Sequence, residues 1–126
     1  EYLEGELMLL IFSARELGGP GCKIAVAIEV QQAMPKQGVS STFQTGEGYG
    51  LIRGICAGLG LPYVLTRPKE WRSAVGLPAK ADKAASVALA QRMFPEVAEL
   101  LTGPRGGLRD GLAEALLIAE SRRRIG

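Results

Sequence analysis

The chain has 126 residues, enough for one domain with one core; 47% are hydrophobic and 22% charged, as in an ordinary globular protein. The net charge of +2 allows a nucleic-acid partner without arguing for one, since strong footprints are more basic. Two cysteines, Cys22 and Cys56, without ligand spacing and with no histidine, exclude an ordinary zinc site and read as reduced core residues.

Glu1 to Leu17 reads as a helix. Leu3, Leu7, Leu10, Ala14 and Leu17 share one face, and Gly18-Gly19-Pro20-Gly21 stops it. The start carries neither a basic leader nor a transit-peptide composition, and no apolar stretch is long enough to span a bilayer, so no membrane partner is expected. Lys23 to Val30 reads as a strand covered on both faces, because Ile24 to Ile28 is continuously apolar. Gln31 to Thr45 is a polar loop with Pro35, Lys36 and Gly38.

Gly46 to Gly60 has helical character despite Gly46, Gly48, Gly50, Gly54, Gly58 and Gly60. Each interior glycine costs about 1 kcal/mol against alanine. Either something packs very close to this backbone (a sheet, a twin subunit or DNA), or the segment is a loose loop. Leu61 to Thr66 is a second strand, with Pro62 at its edge and Pro68 closing it. Lys69 to Val75 forms a short helix. Ala79 to Leu101 is the longest, with Val87, Ala90, Met93, Phe94 and Val97 inward and a kink or break at Pro95. Thr102 to Leu108 is a loop. Arg109 to Arg124 closes the chain as a helix with Leu112, Ala115, Leu116 and Ala119 inward. The order predicts an α/β class with parallel pairing across the glycine-rich crossover. Two strands are few for a sheet, so the sequence reads as a single domain, residues 1–126, incomplete at its start.

Few residues stand out chemically. Glu29 ends an apolar strand, where α/β sheets place ligands; it either meets a metal or partner, or exits into solvent. Asp110 and Glu114, four apart, share a helix face although like charges there repel. Glu114 also stands among apolar residues. A hard ion such as Mg²⁺, which prefers oxygen, explains such acids; a helix-dipole role for Asp110 or a stripe-edge position for Glu114 also does. Lys83, near a helix start, either reaches a phosphate or pairs with Asp82 or a later acid. Arg105, Arg109, Arg122, Arg123 and Arg124 crowd the last quarter, as phosphate contacts or a solvated helix end.

In order along the chain stand Ala27-Ile28-Glu29 with its Pro/Lys/Gly loop, Gly48-Tyr49-Gly50-Leu51-Ile52-Arg53-Gly54, Arg67-Pro68, Trp71-Arg72, Lys83, Phe94-Pro95 and Ala113-Glu114-Ala115-Leu116-Leu117-Ile118-Ala119. This series resembles RuvC-type Holliday-junction resolvases, over roughly Ile24 to Ala119, and is most similar to the branch that includes the chloroplast resolvase of plants and algae. The resemblance implies an RNase H-like fold, here lacking its first strands, and a homodimer that cuts four-way junction DNA by symmetric nicks. Two Mg²⁺ ions (or Mn²⁺) would serve the cleavage. Glu29, Asp110 and Glu114 match metal-holding acids, and Lys83 matches the basic residue at the scissile phosphate. The Gln31–Thr45 loop matches the segment approaching the junction core. Lys36, Gln37, Lys69, Arg72 and Lys83 are the expected DNA contacts, Arg72 standing where relatives have lysine. The family's first catalytic Asp has no match here. The expected setting is a plastid nucleoid or a bacterial cytoplasm. The alternatives are a branched-DNA-binding module that does not cut, a nuclease of the same superfamily acting on RNA–DNA hybrids, and a scaffold without a nucleic-acid role.

Overall fold

The computed structural model describes residue 21 and residues 23–125. The expected helix over Glu1–Leu17 and Cys22 lie outside the described residues. In chain order the elements are β1 (Val26–Glu29), α1 (Val39–Gly58), β2 (Tyr63–Thr66), α2 (Pro68–Val75), α3 (Lys83–Met93), a 3₁₀ helix (Pro95–Leu101) and α4 (Asp110–Ile125). Among the described residues, β1 and β2 pair as a two-stranded sheet, and the Val26 amide donates to the Pro62 carbonyl at 3.0 Å. No helix among them is long and apolar enough to cross a membrane.

The strands correct one expectation. In β1 only Ile28 is buried, so the strand is not covered on both faces. In β2 Thr66 is buried while Val64 and Leu65 are exposed.

The chain divides into two compact units. The first includes residues 30–64 and hence α1. That helix starts at Val39 rather than at the expected Gly46. Its first turn, Val39-Ser40-Ser41-Thr42, reads as loop because Ser and Thr compete for backbone groups in water. Here the Thr42 hydroxyl donates to the Gly38 carbonyl at 2.9 Å, as an addition to the helical bond from the Thr42 amide. Its end is a Schellman turn: Gly60 takes a φ of 66°, its amide donates to Ala57, and the Leu61 amide donates back to Cys56. Cys56 is fully buried, and burial raises its thiol pKa, which suits the core role expected of it.

The second unit holds residues 27–29 and 65–126. Its core is Trp71, Val75, Leu77, Val87, Ala90, Leu101, Ala113 and Leu117. α4 packs on both α2 and α3. α2 ends in another Schellman turn at Gly76, whose φ is 76°, which tucks Leu77 into the core. α3 begins at Lys83 rather than Ala79, because the Asp82 carboxylate caps it by accepting from the Ala85 amide at 2.9 Å. At its other end Phe94 leaves helical geometry, as a residue before proline must, and the chain continues as 3₁₀ from Pro95. The expected break at Pro95 is therefore present, and the helix is split.

α4 shows a second correction. Its buried side is Ala113, Leu117 and Ser121, whereas Leu112, Ala115 and Ala119 face solvent. Leu116 is partly buried, as expected. Ala113, one position along from the expected Leu112, takes the buried place in the core cluster. The Ser121 hydroxyl is tolerated inside because it donates to the Ile118 carbonyl at 2.6 Å.

Candidate functional site

Four separate segments of the second unit bring ionisable groups together. Glu29 arrives at the last position of β1. Asp110 and Glu114 come from the first turns of α4, one turn apart. Lys83 is the first residue of α3, and Arg72 lies on α2.

Glu114 is the electrostatic centre. Its carboxyl is raised above the usual range, first by burial and then by the charges of Glu29 and Asp110, against which Arg72 and Lys83 pull it down. Arg72 Nη2 stands 4.0 Å from Glu114 Oε1, with both side chains about a quarter exposed. Lys83 Nζ lies 3.8 Å from Asp110 Oδ2, and its side chain is 76% exposed, so solvent screens that pair. Lys83 thus pairs with the later acid of the two weighed, since Asp82 is engaged in capping.

Glu29 is gripped more firmly. The indole Nε1–H of Trp71 donates to Glu29 Oε2 at 2.5 Å. Hydrogen bonds to a charged group contribute about 1.5–3 kcal/mol. Trp71 is fully buried, and the Arg72 guanidinium lies 5.3 Å from its ring centroid. Arg72 also donates to the Ala79 carbonyl at 2.9 Å, so it faces the carboxylates and the α2–α3 connection.

The other expected contacts are spread more widely. Lys69 is exposed on the first turn of α2. In the first unit, Lys36 is exposed and takes a φ of 65°, the sole positive value among described residues other than glycine. With Pro35 before it and the Gln37 amide donating to Met34, this is the pattern of a type II turn. The Gln37 side chain is used locally: its Oε1 accepts from the Met34 amide, and its Nε2 donates to Ser41 and Thr45. At the end of α4, Arg123 and Arg124 both clamp Glu120, and Arg124 donates to the Ala74 carbonyl as well.

Trp71 is the contact of this cluster that reading for chemistry passed over. It entered only as part of a sequence motif. The available signal was its singularity: a lone indole beside a cation in a short helix needs a buried acceptor for its N–H.

The donor set fits a hard divalent cation in kind. All three acids offer oxygen only, and the charges of Glu29 and Asp110 both disfavour ionisation of Glu114, which a cation would relieve. As the side chains stand, no three acidic, histidine or cysteine groups among the described residues lie close enough together to form a ready cage.

No protein-family model matches the chain, and no curated protein matches it. Among solved structures it is similar to RuvC of Thermus thermophilus, with a TM-score of 0.57 and 19% sequence identity. The match covers 96% of this chain and 66% of that one, so the chain spans just under two thirds of its neighbour's length. At this identity the likeness shows the fold alone: the chain is folded like RuvC, in keeping with the expected α/β class.

Proposed function

We propose that the protein is a metal-dependent endonuclease that nicks four-way DNA junctions. The observation that carries this reading is the half-buried Glu114 carboxylate, whose charge is opposed by Glu29 and Asp110 from their separate segments on a RuvC-like fold. Glu29, Asp110 and Glu114 would hold Mg²⁺ or Mn²⁺. When bound, such ions activate a water and neutralise charge on the leaving oxygen. The remaining work falls to the chain itself. Lys83, exposed on one flank of Asp110, steadies charge on the scissile phosphate. Arg72 favours the ionised form of Glu114 from the other side, against burial and its acidic neighbours. Lys36 and Lys69 supply exposed phosphate contacts, so binding weakens as salt is raised. Two copies of the chain would place two such sites on opposite strands.

A second reading has one observation in its favour. Because no three acids form a ready cage among the described residues, the fold also suits a module that holds branched DNA without cutting it. Nicking of a synthetic four-way junction in Mg²⁺, beside a Glu114→Gln variant, separates the two. Paired nicks that the variant loses while still binding support the nuclease. Binding without nicks in either protein supports the module, and no binding at low salt removes both.

A further inference from the structure

Trp71 occupies an unusual position between core and site. Its ring is wholly enclosed, packed in the cluster with Val75, Leu77, Val87, Ala90, Leu101, Ala113 and Leu117. A ring so enclosed has few alternative rotamers, because interiors are packed to crystal-like density. Its only polar atom is the indole N–H, and that atom is committed to Glu29, 42 residues away in sequence. The adjacent residue, Arg72, addresses the other central acid, Glu114, and lies against the same ring. One short helix therefore meets two carboxylates from two different elements through neighbouring side chains.

We propose that Trp71 is a positioning residue for the acidic site: its buried indole N–H fixes the orientation of the Glu29 carboxylate, and its ring face fixes Arg72 and, through it, Glu114. The role rests on the nuclease reading, since positioning matters only if the acids hold a cation. Outer hydrogen-bond partners of metal-binding groups typically change metal affinity by about 10- to 100-fold when removed. Trp71 is thus set to act on cation affinity without touching the cation, substrate or reacting atoms.

The chain has a single tryptophan, so its indole N–H gives one isolated signal in a ¹H–¹⁵N spectrum. Glu29→Gln is expected to move that signal markedly upfield, since a carboxylate acceptor becomes a weaker amide one. Mg²⁺ added alone to the unsubstituted protein is expected to shift the same signal with saturation. Two variants then test the role: Trp71→Phe, and the benzothienyl analogue of tryptophan at position 71, which keeps the bicyclic shape but has no N–H. The analogue should bind Mg²⁺ about 10-fold more weakly by calorimetry while melting within a few degrees of the unsubstituted protein. An indole signal indifferent to Glu29→Gln overturns the contact. Unchanged Mg²⁺ affinity in the analogue overturns the positioning role. If the unsubstituted protein binds no Mg²⁺ while the indole signal still answers to Glu29→Gln, the contact stands and the nuclease reading fails, taking the positioning role with it.

Discussion

Glu114 and Glu120 lie less than two turns apart on α4, and their surroundings move them in opposite directions. Glu114 is raised by burial and by like charges, so the folded chain takes up a proton there more readily than the unfolded chain does. Stability therefore falls as pH rises from the ordinary value of 4.5 through the raised folded value. Glu114→Gln removes that loss, so in metal-free buffer the variant should melt higher than the parent at pH 7, and the difference should vanish in thermal melts near pH 4. A lower melting point at pH 7 would mean that the Arg72 pair outweighs burial. Glu120 is the converse case. Hydrogen bonds from Arg123 and Arg124 hold its carboxyl down at about 2. Its stabilising contribution is complete above 4.5 and is lost as pH falls from there through about 2. Glu120→Gln should consequently melt below the parent at neutral pH, and the gap should close as melts are repeated toward pH 2. The two acids also differ in legibility. Glu114 stood out as a carboxylate in an apolar run, whereas the Glu120 clamp depends on where Arg123 and Arg124 turn, which charge spacing alone leaves open between solvent and partner.

At the scale of elements, α1 carries glycines at 46, 50, 54 and 58, in one row at helical spacing. A methyl group built at each of these positions meets nothing within 4 Å. The sheet is thus not what approaches this row among the described residues, and the row stands open. Gly50→Ala and Gly54→Ala should each stabilise the folded chain by about 0.5–1 kcal/mol, read from denaturant or thermal midpoints. If the variants are stabilised but fail to self-associate or to bind branched DNA, the row is a contact surface; if they are unimpaired, it faces water. Helix ends marked by strong local chemistry were readable, as at Gly60 and Pro95, where a left-handed residue and the restriction before proline act within a few positions. The start of α1 and of α3 was not, because Ser, Thr and Ala support either outcome until a cap such as Asp82 or a brace such as Gln37 decides. The inward side of α4 was misread by one position. Leu112 and Leu116 outweigh Ala113 and Ser121 in hydrophobicity, yet it is Ala113 and Ser121 that are buried beside Leu117.

For the whole molecule, the acids of the site were visible in sequence and their supports were not. Glu29, Asp110, Glu114 and Lys83 announce themselves by charge in apolar or helix-start settings. The Trp71 hydrogen bond and the approach of Arg72 join α2 to residues far along the chain, and no local pattern encodes that distance. The same arrangement has an optical consequence. The sole indole belongs to the second unit, while Tyr49 and Tyr63 belong to the first. Emission excited through tryptophan should therefore be blue-shifted in the native protein and should redden only when the second unit opens. Tyrosine absorbance should follow the first. Recording both signals through one denaturant titration will show whether the two units melt together or in turn: coincident midpoints mean one cooperative transition, and separated midpoints mean that one unit can come undone while the other stays intact.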